Sequence, residues 1–413
     1  MRPNRLDRQL RIDGWNQDAL ENATIGVVGD DDLLASLYIM SASALGINKV
    51  IALAPSLNIM FVETAKKLNL RFDLTHVEGF YTHPILNEIF KACNLIVDLT
   101  SYGLANKLLL QKGFMENIPI IRGFCYEHEN EQGFKIFTYM RGREWQELEQ
   151  IIAPHNFANA HFDDAVLDTI VAGIVLEETK NTLMGQDVSE DLIAFKRKKI
   201  KTPNGQSKIL IVGSGALGIF VGLGLAYSGF QQIAFMDPDV VEETNLNRQV
   251  LFYNAIGRSK AETLSERLNE HFGMQNSAMV GYFNSSTDTT SYDVIFDCVD
   301  NFESRIMLSE KCKEQGKVLI SGGTSADAGQ VIIYNPVERG VTPSELLGLY
   351  DIVEKRKIDA PKRERAACAY QPDPSVIMTN QITAGFMVDS YRMLLDGQKP
   401  VNIFYDSRSN TRL

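Results

Sequence analysis

Residues 209–218 read ILIVGSGALG, residues 236–249 read MDPDVVEETNLNRQ, and residues 257–260 read GRSK. The four apolar residues Ile209 to Val212 predict a buried strand. It runs into Gly213-x-Gly215-x-x-Gly218 and an apolar helix, the strand–turn–helix order of a doubly wound α/β fold. A second strand ends in Asp237-Pro-Asp239, and beyond it lie Asn245, Arg248, Gln249 and Lys260. The glycine loop by itself also fits a nicotinamide site or a tight turn with no ligand. The Asn/Arg/Gln/Lys series downstream points instead to a site that handles the phosphates of ATP, since Arg grips two oxygens through its fork and Lys supplies a point charge. Asp239, Asn245 and Gln249 also fit capping or turn roles.

Outward from that stretch, the 413-residue chain is long enough for two or three domains. Its net charge of −11 argues against a nucleic-acid-binding surface. The opening MRPNRLDRQLRIDG is charged throughout, and the apolar run Leu217 to Tyr227 is too short to span a bilayer, so a cytoplasmic protein is expected. Five cysteines at wide spacing form no disulfide framework and no C-x-x-C zinc pair, and the six histidines show no metal-ligand spacing.

The two halves echo each other. ATIGVVGDDDLLASLYIMSASALGINKVIALAPS parallels KILIVGSGALGIFVGLGLAYSGFQQIAFMDPD. NLIVDLTSY (94–102) parallels DVIFDCVDN (293–301), and DTIVAGIVLEETKNTLMG (168–185) parallels NQITAGFMVDSYRMLLDG (380–397), the closing helix of each unit. Matching segments in register predict two tandem units over 1–186 and 208–413. A polar linker at 187–207 separates them, and its Lys/Arg cluster is read as solvated. The first half has Gly29 and then Asp30, Asp31 and Asp32 where the second has its glycines, and Ser101 where the second has Asp300. Carboxylates in a phosphate loop repel the ligand, so the first half is read as a scaffold without a nucleotide site.

With these motifs in view, the second half resembles the ThiF/MoeB superfamily, which includes the ubiquitin-activating enzymes, and the inactive-then-active tandem resembles the latter. The resemblance implies two Rossmann-like units forming an intramolecular pseudo-dimer that acts as a monomer. It implies Mg-ATP bound through Gly213, Gly215, Gly218, Asp237, Asp239, Asn245, Gln249, Arg248 and Lys260, with Asp300 holding the magnesium. Asp300 also fits a helix N-cap. RLDRQLRIDGWNQDAL (5–20) resembles the family's opening helix, whose arginine reaches the partner unit's ATP site; Arg8 fills that position, and Arg5 would lie one turn away. Cys368, just before the second closing helix and after the crossover segment 337–367, stands where autophagy-type members carry a thioester-forming cysteine, with Arg363 and Arg365 nearby to lower its pKa. The resemblance thus implies activation of a small ubiquitin-like protein and its transfer to a conjugating enzyme. Adenylation alone, for a sulfur-carrier protein or peptide, and a non-catalytic subunit that binds a ubiquitin-like protein remain the alternatives.

Overall fold

The computed structural model describes residues 4–142, 149–158, 162–201, 205–338, 340–355, 373–409 and 413. In chain order the first unit contributes β1 (Thr24–Gly29), β2 (Lys49–Ala54), β3 (Asp73–Glu78), β4 (Leu95–Leu99), β5 (Ile120–His128), β6 (Glu131–Tyr139) and β7 (Ile193–Lys198). The second contributes β8 (Lys208–Val212), β9 (Gln232–Asp237), β10 (Ser277–Val280), β11 (Val294–Asp297), β12 (Val318–Thr324), β13 (Ala328–Tyr334) and β14 (Ile403–Asp406). The sheets run β3-β2-β1-β4-β5-β6-β7 and β10-β9-β8-β11-β12-β13-β14, the same order twice. In each, the first five strands pair in parallel, the sixth runs antiparallel to the fifth, and the seventh runs antiparallel to the sixth. Apolar runs such as Ile209 to Val212 form the central strands because parallel strands covered on both faces have no solvated side. The chain reverses direction across each sheet between its first and fourth strands, where doubly wound folds place their ligands. Among the described residues no helix is long and apolar enough to cross a membrane.

The closing helices, Ala165–Met184 and Ile377–Leu395, cross at the seam between the units. Their contact is reciprocal at equivalent positions. Ile382 packs where a Cβ on Gly173 would sit, 2.7 Å from its Cγ1, and Ile170 packs against Gly385 in the same way. This is the self-complementary contact of a two-fold dimer, here within one chain. Polar groups cross it too. Ser41 donates to Gln381 Oε1 at 2.8 Å, and Gln381 Nε2 donates to the Thr169 carbonyl at 3.0 Å. Replacing Gly385 with valine is expected to destabilise the fold by about 1–3 kcal/mol through overpacking. Ile170→Ala in that background should recover part of the loss, which urea denaturation of the double variant would test.

One expectation needs correction. Residues 187–207 are not simply a polar linker, because Ile193–Lys198 forms β7, paired antiparallel with β6 from Glu131↔Lys198 to Ile136↔Ile193. Strand alternation explains the error: Lys196 and Lys198 face solvent while Arg197 between them is buried. Arg197 Nε donates to both Asp389 oxygens at 2.9 Å, and its Nη2 donates to Asp164 at 3.0 Å. Arg392 donates to Asp164 at 2.7 and 3.0 Å. The basic cluster thus supplies one arginine to a buried two-arginine, two-aspartate network across the seam. Burial pushes the Asp164 carboxyl up, but Arg392 and then Arg197 outweigh it and hold it below the usual carboxylate range.

Candidate nucleotide site

Gly213 follows β8 in the left-handed region, at φ 99°, and a Cβ there would lie 2.5 Å from the Cys298 carbonyl oxygen. Gly218 is pressed against the Gly213 carbonyl, which fixes the helix close to the loop. Gly215 differs: it begins the helix Ala216–Tyr227, and the nearest atom to its missing Cβ is Gln249 Nε2 at 3.6 Å. Two of the glycines therefore serve the turn, and the middle one leaves a helix N-terminus open to an anion.

Asp237, at the end of β9, accepts from Ser214 N at 2.7 Å and from Asp239 N at 2.9 Å. Burial pushes its carboxyl up, against the pull of Lys260. Asp237 thus holds the glycine loop against the next turn, a task the sequence reading had not given it. Asp239 is the more open acid and pairs with Lys260 Nζ at 2.8 Å. Lys260 starts the helix Lys260–Phe272 and is otherwise buried.

The NLNRQ segment meets this loop at Gln249, beside Gly215. Asn245 is a cap, its Oδ1 accepting from Glu242 N at 2.9 Å. Arg248 is 7% exposed and donates through Nη1 to the Thr244 carbonyl at 3.0 Å and to Asn247 Oδ1 at 2.7 Å. Burial, reinforced by the charge of Arg8, pulls its guanidinium down to about 9; Asp300 and Glu242 act against that. Gln249 is 4% exposed, and its Oε1 is buried with no hydrogen-bond partner.

Asp300 follows β11 and is exposed. The cap of the next helix, Phe302–Gln315, is Asn301, which accepts from Ser304 N at 2.8 Å, so Asp300 is not engaged as the cap. Arg305, on that helix, donates to the carbonyls of Val299 at 2.7 Å and Gly322 at 2.8 Å and so pins the loop that carries Asp300.

Residues 5–11 form successive tight turns rather than the expected helix, and the first helix is only Gln17–Glu21. The two arginines consequently diverge. Arg8 reaches the second unit, donating to the Asp373 carbonyl at 2.8 Å, close enough for its charge to act on Arg248. Arg5 stays on the first unit and donates to the Ala44 carbonyl at 2.7 Å. Burial lowers its pKa to about 10, against the attraction of Glu21, and its expected place beside the nucleotide is not the one it takes. Between them, Gln9 is fully buried and accepts from Asn247 Nδ2 at 3.1 Å, which locks the opening segment onto NLNRQ. Gln9, Asn247 and Arg305 were missed in the sequence. Asn247 sits inside the quoted motif and was the one within reach of a closer reading.

In the first unit Asp30 takes the place of Ser214, and its carboxylate accepts from Ser101 N at 2.8 Å and Ser101 Oγ at 2.5 Å. Asp30 thus ties this loop to the residues that follow β4. Cys93, Cys125 and Cys312 are buried, and burial pushes each thiol up, as expected of apolar fillers. Cys368 and its neighbours Arg363 and Arg365 lie outside the described residues.

A glycine loop opening a helix at the switch point, with acids at two strand ends, defines a doubly wound α/β protein. Residues 189–409 match the ThiF family, and the chain belongs to it. It is 33% identical over 178 residues to the "Adenylyltransferase and sulfurtransferase MOCS3" of Drosophila sechellia, covering 40% of this chain and 39% of that protein. It is 34% identical over 139 residues to the "Adenylyltransferase and sulfurtransferase UBA4" of Eremothecium gossypii, covering 32% and 31%. The chain thus spans well under half the length of these relatives. A crystal structure of E. coli MccB with AMPCPP and MccA superposes on 50% of this chain and 62% of that one, with a TM-score of 0.42 and 21% identity.

Proposed function

We propose that the second unit uses ATP to adenylate the C-terminal carboxylate of a small ubiquitin-like protein, and that Cys368 then takes the acyl group as a thioester. The observation that carries this reading is the buried Arg248 with Asp300 and Arg8 beside it, the last supplied by the other unit. A carboxylate oxygen attacks the α-phosphorus, the bond to the β-phosphate bridge breaks, and pyrophosphate leaves with the acyl-adenylate bound. Gly213, Gly215 and Gly218 let the loop approach the phosphates, and Arg248, Lys260 and Arg8 oppose the charge that builds on the leaving group. Asp239 and Gln249 complete the nucleotide contacts. A magnesium ion would need one or two protein carboxylates besides the phosphates, and exposed Asp300 supplies one. The Cys368 thiolate then attacks the acyl carbon and releases AMP, leaving a thioester for a conjugating enzyme; the setting is the cytoplasm.

Adenylation alone, for a sulfur-carrier protein, is the second reading, favoured by the adenylyltransferase and sulfurtransferase relatives. Mass spectrometry of the Cys368 peptide separates the two. With Mg-ATP and a candidate partner, a thiol-labile adduct absent from Cys368→Ala is expected. Pyrophosphate release with no adduct would leave only adenylation.

A further inference from the structure

The first unit's loop has inverted its charge, and three of its acids converge. Asp31 caps the helix Asp32–Leu45, Asp168 lies in the first turn of the helix Ala165–Met184, and Asp163 precedes that helix. One carboxylate oxygen from each lies within 4.8 Å of the other two. Asp168 is fully buried, and its Oδ2 has no hydrogen-bond partner, while its Oδ1 accepts from Cys125 Sγ at 3.1 Å. A buried carboxylate with one oxygen given no donor, clustered with two further carboxylates, calls for a positive ligand. The equivalent positions in the second unit are Gly215 for Asp31, Thr324 for Cys125 and Asn380 for Asp168, none of them an acid.

We propose that Asp31, Asp163 and Asp168 form a binding site for one hard divalent cation, at the loop that corresponds to the glycine loop of the second unit. Oxygens within 4.8 Å of one another can share the shell of one hard divalent cation, which is about 4.2–5.2 Å across from Mg²⁺ to Ca²⁺. Three carboxylates supply hard donors and water completes the shell. Asp163 is exposed and gives the ion its way in. The ion would tie the start of the first closing helix to the start of Asp32–Leu45, one residue from the Thr169 carbonyl that Gln381 grips across the seam.

The test is calorimetric titration of CaCl₂ into the full chain, stripped of metal and free of nucleotide, with thermal unfolding alongside. One saturable site and a higher melting temperature with Ca²⁺ are expected. Asp168→Asn and the exposed Asp163→Asn should each weaken binding at least tenfold. Cation-free Asp168→Asn should melt at or above the parent, since like charges are relieved. Asp300→Asn should bind Ca²⁺ as the parent does, which separates this site from the nucleotide's metal. No saturable binding to the folded parent, undiminished binding by both first-unit variants, or loss of binding in Asp300→Asn would each overturn the proposal.

Discussion

Arg248→Ala is expected to slow acyl-adenylate formation about 10²–10³-fold, the cost of removing one preorganised charge donor, while leaving the nucleotide-free chain as stable as the parent or more so. The two halves of that expectation share a cause. Arg248 is buried, its charge is disfavoured by burial and by Arg8, and the acids acting against that do not restore it. A base whose folded pKa lies below its unfolded one destabilises the fold while it is charged. For Arg248 that holds at every pH below about 9 and is relieved only as the pH rises beyond it. An anionic ligand supplies the missing compensation. Melting curves with and without ATP, paired with pyrophosphate exchange, check both. The parent should gain several degrees from ATP and Arg248→Ala almost none. A variant that melts well below the parent without nucleotide would make Arg248 a structural residue.

Asp389→Ala should cost about 3–5 kcal/mol, since it strands buried Arg197 and leaves Arg392 and Arg197 to share Asp164. Against a typical stability of about 5–15 kcal/mol, that is a large fraction. Urea midpoints measure it, and a loss under about 1 kcal/mol would show that the network is not closed to water. The double replacement Asp389→Leu with Arg197→Met should cost less than Asp389→Ala alone, because no charge is left unpaired. The network also sets an acid limit. Asp164 is held below its unfolded value, so its contribution is complete above about pH 4 and is lost as the pH falls through the folded value. Asp164→Asn should remove that part of the acid dependence.

The fold was legible because its signals are local. Apolar runs such as Ile209 to Val212, the glycine loop and the repeated closing helix each follow from spacing within about twenty residues. The failures came where tertiary partners decide. KRKK (196–199) is charged in sequence, yet strand alternation turns Arg197 inward to acids far along the chain. Arg5 and Arg8 were assigned one helical face, but tight turns send them to different units. Gln9 carries no chemical signal of its own and is identified only by Asn247 on the other half. The acid at the end of the fourth strand shows the same limit. In the second unit Asp297 is met by Ser321 from the neighbouring strand and Arg305 from the following helix. In the first, Asp98 is met by Arg122 from the strand and Asn106 from the helix. The cation has changed places, and no reading of either half alone would have paired those residues.

The reciprocal fit of Gly173 to Ile382 and Gly385 to Ile170 has a consequence for how the chain is made. The first closing helix leaves the ribosome roughly ten to forty seconds before its counterpart, at synthesis rates of about 5–20 residues per second. Throughout that interval it presents the half of a two-fold contact that suits a second nascent chain. The later half arrives tethered, at an effective concentration of order millimolar, and outcompetes a neighbour at cellular dilution. Crowded polysomes narrow that margin, so overexpression should trap a fraction of the product as exchanged pairs, each half of one molecule clasped to the complementary half of another.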